Sequence, residues 1–539
     1  MTSLIPRPPY TDDELQKLYP PGLQLQQVQI LMRHGERTPV TARFQNAGLK
    51  PFWPYCASVR QMRSIMLDYN GENKNKPQDP ITGKTGDNAH FQTVEWKRRL
   101  ETFGPNDEPV VAKGPGNELD DVCDFGALTD LGRQSTSRLG MRLRKLYVDR
   151  LGFLPETITS TDEFYLRSTN VPRALESMHQ TFQALYPPSS READPKTGKF
   201  PVPTVLTRGP GDETLYPNDG NCRRFAALSR AFAQRAADRW NATEEMEYLN
   251  KVYGKWMPAN SPRVAVDSRP RLSGIMDTVN ASLAHGPETR LPEEFYDYKA
   301  RRIMEMIASD EWFAGFNESR EYRMLGMGAL LGDVVGRMVS RAERTNSSSS
   351  GASTKSSTSD PSASDIKFGL SGCHDTTLAG MLSSLGAHDS SSWPPFTSHI
   401  AIELFRKATS NSPSSGDMAV TPAKRGWWES MFPGSAVSSS NQKGASGICR
   451  KSTEYLTSSE KSKLDGYYVR MRYNDEPVTI PGCKAPGNHL EGDESFCTLS
   501  AFKSIVDKFT PQDWKQQCRM NQGQPATPPS GEPEWAGHP

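Results

Sequence analysis

Five segments of the chain carry the apolar patterns of β-strands. Residues 27–33 (QVQILMR) alternate and then turn continuously apolar, as a strand buried inside an α/β sheet does, and they stop at Gly35 and Pro39. Residues 163–169 (EFYLRST), 366–372 (IKFGLSG), 399–405 (HIAIELF) and 467–473 (YYVRMRY) read the same way. Between them lie helical periods. Thr129 is placed to cap a helix whose Leu139, Leu143, Leu146 and Tyr147 share one face, and in 172–187 Leu175, Met178, Phe182 and Leu185 recur at helical spacing. From about 210 to 340 the pattern is mostly helical, with amphipathic stretches near 224–254 and 294–342. Strand, loop and helix thus alternate on both sides of a helical insertion, which predicts an α/β three-layer sandwich around a central, mainly parallel sheet.

The same pattern divides the chain. Residues 1–23 form an N-terminal extension, 24–209 and 366–520 the α/β core, and 210–345 a helical cap inserted into it. A Ser-rich stretch, 346–365, lacks the apolar residues needed to offset chain ordering and reads as a disordered linker. A second polar insertion spans 408–461, and a Pro-rich tail 521–539. Within 408–461, Trp427, Trp428 and Phe432 form an apolar island, expected to pack back onto the core rather than to act as a lid or membrane contact.

Composition removes whole classes of function. With 64 Lys plus Arg against 63 Asp plus Glu in 539 residues, the formal charge of +1 excludes a nucleic-acid binder held by bulk electrostatics, so any anion site must be local. No apolar run is long enough for a transmembrane helix. The acidic start (Asp12, Asp13, Glu14) lacks a basic region followed by an apolar one, which points away from a secretory signal and from a matrix transit peptide, and makes a cytoplasmic location the default. Eight cysteines occur without a CxxC pair or zinc spacing, so in a reducing compartment most are expected to be thiols; pairing of Cys483 with Cys497 across a loop stays open. Under that default the sequons at Asn241, Asn280, Asn317 and Asn346 carry no meaning. The GKT at 83–85 is no phosphate loop, because Gln78 stands where the first glycine is needed and no strand precedes it.

Three strand ends carry reactive side chains. Arg33-His34-Gly35-Glu36-Arg37-Thr38-Pro39 follows the first strand, at the edge where open α/β sheets place ligands. Two guanidinium groups bracket one imidazole there; they suit phosphate or carboxylate oxygens and depress the basicity of the ring, keeping His34 neutral and nucleophilic. His374-Asp375 follows the strand of 366–372, offering a donor and a carboxyl group able to protonate a leaving oxygen. Arg167-Ser168-Thr169 ends another strand and adds a guanidinium, whereas Arg173, on the next helix, is the better candidate for a structural ion pair. This inventory fits phosphoryl transfer to an imidazole, with arginines doing the charge compensation that metal ions do elsewhere.

RHGERTP and HDTT resemble the RHGxRxP and HD motifs of the histidine acid phosphatases, a branch of the histidine phosphatase superfamily. GALTDLGRQ, PPFTSHIAIELF and YNDEPV resemble further family segments, and the likeness runs from about residue 24 to 520 outside the two polar insertions. LRSTNVPRALES and DETLYPN, with Cys222 shortly after, bring it nearest to the lysophosphatidic acid phosphatase branch. The resemblance implies a phosphoglycerate mutase-like core and hydrolysis of a small or single-chain-lipid phosphomonoester. His34 would be the nucleophile, forming a phosphohistidine; Arg33, Arg37, Arg167 and His374 would hold the phosphoryl oxygens; and Asp375 would be the acid. It implies neither metal nor cofactor, and its lysophosphatidic branch offers mitochondria as an alternative location. A phosphomutase uses similar chemistry but must retain its phosphorylated intermediate, and a non-catalytic phospholigand-binding module would need a reactive group missing. The acid beside the second histidine favours hydrolysis.

Overall fold

A computed structural model describes residues 2–68, 90–196, 198–349, 365–388, 392–408, 447–526 and 535–538. The thirteen strands are, in chain order, β1 (Leu23–Arg33), β2 (Met62–Asp68), β3 (His90–Trp96), β4 (Glu101–Phe103), β5 (Pro109–Val111), β6 (Phe164–Ser168), β7 (Val205–Leu206), β8 (Phe368–Cys373), β9 (His399–Lys407), β10 (Tyr467–Tyr473), β11 (Glu476–Val478), β12 (His489–Leu490) and β13 (Asp493–Thr498). Nine of them form one sheet in the order β12-β13-β10-β9-β1-β8-β6-β7, with β11 beside β10. β1, β8, β6 and β7 run parallel, and this block carries the strand ends singled out in the sequence. On the other side of β1 the pairing becomes antiparallel through β9, β10 and β13. β2–β3 and β4–β5 are separate hairpins without a counterpart in the sequence reading.

The alternation in 27–33 is resolved by what faces each side of β1. Val28, Ile30 and Met32 point into a core shared with Leu139, Leu143, Met178 and Phe182, the apolar stripes of α2 (Asp130–Arg144) and α3 (Pro172–Leu185). Leu31 points into the opposite core, shared with Phe225, Phe316 and Leu330. The interleaved Gln27 and Gln29 are buried yet satisfied: their amides donate to the carbonyls of Ile366 and Val334, and Arg337 donates to Gln29. Thr129 caps α2 by accepting from the Gly132 N–H, and Pro172 opens α3 at a position where its missing N–H costs nothing. Each fully buried Leu, Phe or Met in these layers contributes about 1.5–3 kcal/mol of transfer free energy.

The first helix, α1 (Asp12–Leu18), covers part of the α2 side through Leu15. Six further helices follow: α4 (Arg223–Trp240), α5 (Glu244–Tyr253), α6 (Leu272–Ala284), α7 (Tyr298–Glu318), α8 (Arg320–Arg323) and α9 (Ala329–Ser349). Helices α5 and α6, with the end of α4 and the start of α7, enclose a separate cap core of Leu249, Tyr253, Ile275, Phe295 and Ile307, whereas α8, α9 and the rest of α4 and α7 pack into the main core beside the sheet. Helix α9 carries regular structure to Ser349, so the Ser-rich stretch begins as helix, because its first turn still grows from the amphipathic run before it; 350–364 lies outside the described residues. Of the polar insertion, Ile448 and Leu456 are buried in the main core, while Trp427, Trp428 and Phe432 lie outside the described residues, as do 83–85. In the tail, Gln524 accepts from Arg224, and the buried Ala536 donates to the Asn317 carbonyl.

The cysteine expectation is overturned. Cys56–Cys123, Cys222–Cys518 and Cys483–Cys497 are disulfide-bonded, leaving Cys373 and Cys449 as thiols. The partners of the first two pairs are 67 and 296 positions apart, so no local spacing announces them, and only the fold brings their Cα atoms to 5.2 and 4.8 Å. No described helix is long and apolar enough to cross a membrane.

Candidate active site

The parallel register sets Arg33 of β1 beside Cys373 of β8, so the residues that follow, His34 and His374, leave adjacent strands side by side. The His34 N–H donates to the Cys373 carbonyl at 3.1 Å, and the Thr397 N–H donates to the His34 carbonyl at 3.2 Å, which fixes the loop between two strand ends. Next to it the chain crosses the start of α2 so closely that a Cβ on Gly35 would lie 2.4 Å from the Gly132 carbonyl oxygen, and one on Gly132 would lie 2.2 Å from that of Glu36. Both glycines are therefore fixed by this crossing. Glu36 is not left bare in it: Ser135 donates to its carboxylate, and Thr129 donates to its carbonyl.

The rings of His34 and His374 stand 5.6 Å apart between centroids, nearly edge to face, both buried. His34 Nδ1 lies 2.9 Å from the Gly35 carbonyl, which can only accept, so the proton resides on Nδ1 and Nε2 carries the lone pair. Burial pushes the His34 pKa well below its ordinary value, and Arg173, Arg33 and Arg37 push it further in the same direction. His374 is lowered to about 3 by burial and then by Arg173, against the pull of Asp375; its Nε2 lies 3.1 Å from Thr169 Oγ1. Both rings are thus biased toward the neutral form.

Asp375 opens α10 (Asp375–Ser384). Its Oδ2 pairs with Arg33 Nη2 at 2.7 Å and accepts from Trp393 Nε1 at 3.0 Å. Burial opposes the charged form, but Arg33, Trp393 and Arg37 outweigh it and hold the carboxyl below its ordinary range. Arg33 also lies over the Phe396 ring, 4.2 Å from its centroid. Arg37 pairs at 2.7 Å with Asp277, a residue of α6 for which the sequence gives no motif. Among the described residues no group of three or more His, Cys, Asp or Glu side chains is arranged to hold a metal ion.

Arg167, expected among the phosphoryl ligands, sits in an ion pair, and Arg173, expected in an ion pair, lies near the two imidazoles. Arg167 Nη2 donates to Glu213 at 2.7 Å and to Thr214 at 3.0 Å, and both members of this ion pair are buried. Strand parity explains it: Leu166 faces the α2–α3 core, so Arg167 faces the cap. Glu213 also accepts from the Leu215 N–H, Thr377 donates to the Leu215 carbonyl, and the His374 N–H donates to Thr377. Arg167 thus braces the segment that seats His374. Arg173, in the first turn of α3, is the guanidinium whose field acts most on both imidazoles; it donates only weakly, to the Gly126 carbonyl at 3.4 Å, and burial lowers its pKa to about 10. The spacing in 172–187 predicts its helix, but which turn of that helix faces the pocket is a tertiary fact.

Comparisons with known proteins show the family of the chain. The family described as histidine phosphatase superfamily (branch 2) matches residues 24–420. A probable acid phosphatase of Schizosaccharomyces pombe is 33% identical over 506 residues, covering 93% of this chain and 95% of its own. Human lysophosphatidic acid phosphatase type 6 is 28% identical over 286 residues, 52% of this chain and 57% of its own. Among solved structures, a Hafnia alvei phytase in complex with tartrate aligns with a TM-score of 0.47 at 12% identity, over 93% of this chain and 99% of that one.

Proposed function

The chain belongs to branch 2 of the histidine phosphatase superfamily and is a phosphoric monoester hydrolase, and from that premise we propose that it works through a phosphohistidine on His34. The observation that carries the proposal is the pairing of two neutral, buried imidazoles 5.6 Å apart beneath three guanidinium groups, those of Arg33, Arg37 and Arg173. A tetrahedral phosphoryl group between them meets a nucleophile and cationic donors at once.

The steps follow from the contacts. Incoming phosphoryl oxygens draw Arg33 away from Asp375, which removes the main influence holding that carboxyl ionised, so the acid takes up a proton. His34 Nε2 attacks phosphorus and the ester P–O bond breaks; the departing oxygen takes its proton from Asp375. Water then attacks the phosphohistidine, Asp375 accepts its proton, and phosphate leaves with His34 neutral again. Arg173 takes the place the sequence reading gave to Arg167.

For the alcohol portion the nearest described space is a cavity of about 540 Å³ that reaches Thr376, the residue after Asp375; Phe225, Trp312 and Phe316 line it together with Arg230, Arg269 and Arg271 and the acids Asp219, Asp267 and Glu311. That lining suits a single-chain-lipid phosphate or another small ester with an apolar stretch, a reading supported by the relative named for lysophosphatidic acid. The three disulfides favour an oxidising compartment over the cytosol. Phosphate release from 4-nitrophenyl phosphate, lost in His34→Ala and insensitive to EDTA, is the test; a panel of lysolipid, inositol, sugar and nucleotide phosphates then ranks substrates. Activity that survives His34→Ala defeats the nucleophile assignment.

A further inference from the structure

The anion pocket is less cationic than its arginines imply. Arg33 is held by Asp375 and Arg37 by Asp277, while Arg173 has no carboxylate partner among the described residues. Asp277 differs in origin from every other member: it comes from α6 of the cap, and its side chain is 11% exposed. One oxygen faces Arg37 Nη1 at 2.7 Å; the other accepts from Arg43 Nη1 and from the Val40 N–H, each at 3.2 Å, so Asp277 is gripped by the loop that follows the RHG turn. Its charge also reaches Arg33 and Arg173. Arg43 shares the Asp277 carboxylate, but the arginines that act most on the two neutral imidazoles are Arg173, Arg33 and Arg37.

A phosphate monoester carries one negative charge below its second ionisation, near pH 6, and two above it. Resting on the phosphatase reading above, we propose that Asp277 is a specificity-determining residue that makes the pocket take the singly charged phosphoryl group in preference to the doubly charged one. The uncompensated guanidinium of Arg173 is matched by one negative charge, and a second must sit against Asp277 and Asp375. The proton inventory agrees: the proton that a monoanionic ester brings in is the one Asp375 passes to the leaving oxygen, so enzyme plus monoanion holds everything the first step consumes. Acid activity then follows from the cap, because α6 supplies the carboxylate that trims the field.

The experiment is calorimetric binding of inorganic phosphate to the full chain at pH 5 and pH 8, which does not depend on turnover. The wild-type protein should bind more tightly at pH 5. Asp277→Asn should tighten binding at pH 8 relative to pH 5 by about tenfold, the effect of removing one nearby like charge, and should shift the alkaline fall of kcat/KM for 4-nitrophenyl phosphate upward by about one pH unit. Asp277→Glu, which keeps the charge, should retain the wild-type profile. Equal or tighter wild-type binding at pH 8, or an Asp277→Asn loss that is the same at both pH values, overturns the proposal and leaves Asp277 a brace for the loop. Phosphate binding of the expected pH pattern in a protein without His34-dependent turnover would instead sink the phosphatase reading and spare this one.

Discussion

Two buried clusters of charge lie along the same sheet. Around Glu403, which is fully buried on β9, Arg470 and Arg472 donate from β10, and Tyr19 and Tyr147 add hydroxyl donors at 2.6 and 2.8 Å. Those arginines hold Glu403 down at about 2 against the opposing effect of burial, and each member finds its partner within the cluster. At the strand ends the composition is similar but the pairing is incomplete: Arg173 lacks a carboxylate, and two imidazoles are kept neutral amid positive charge. A buried charge cluster that closes on itself is scaffolding; one that stays open awaits a ligand.

That contrast can be broken most sharply at its two centres. His34→Ala should lower phosphate release by about 10⁴-fold or more while the melting temperature holds, since the ring contributes a nucleophile rather than a brace. Glu403→Gln should do the opposite, costing about 3–5 kcal/mol of stability in denaturant melts because two buried guanidinium groups lose their counter-charge, with the folded fraction still active. A Glu403 variant of normal stability but no activity would erase the distinction.

Arg167 and Arg173 give a finer test. Arg173→Ala should cost about 10²–10³-fold in kcat/KM, as loss of an oxyanion donor does, whereas Arg167→Ala should chiefly lower stability by leaving Glu213 unpaired. If the two losses come out reversed, Arg167 is the phosphate ligand after all. Asp375→Asn should slow alkyl phosphates far more than 4-nitrophenyl phosphate, whose leaving group needs no proton, and equal losses would remove its role as acid.

At pH values where the enzyme is assayed, the smallest expected effect is on the pH dependence of folding. His374 binds its proton only near pH 3 in the folded protein but near its ordinary pH 6.5 when unfolded, so the unfolded state takes up more protons between those values. The stability contributed by the neutral His374 ring is therefore fully present above pH 6.5 and is lost as the pH falls toward 3. His374→Asn should flatten that decline in thermal melts, and an unchanged slope would mean the ring is not held neutral.

The strand ends bearing RHGERTP and HDTT were legible because a buried run that stops at polar residues is a local signal. Arg167 and Arg173 were not separable by the same means, since strand parity and the facing turn of α3 matter only once the cap and Glu213 are in place. Asp277 had no signal at all: a single acid on an apolar helix reads as surface, and only its contacts with Arg37, Arg43 and the Val40 N–H mark it. The disulfides were hidden for a related reason, their partners being distant in sequence and free of any repeating spacing.

One of those disulfides reaches further than its position implies. Cys222, the residue that begins α4, is bonded to Cys518 across 296 positions, and the Arg224 N–H donates to the Cys518 carbonyl beside it. A chain ending short of Cys518 would therefore unfasten the root of the cap, a few residues downstream of the Glu213–Leu215 segment that seats His374. Trimming the C-terminus, which looks harmless on paper, would be felt at the phosphate.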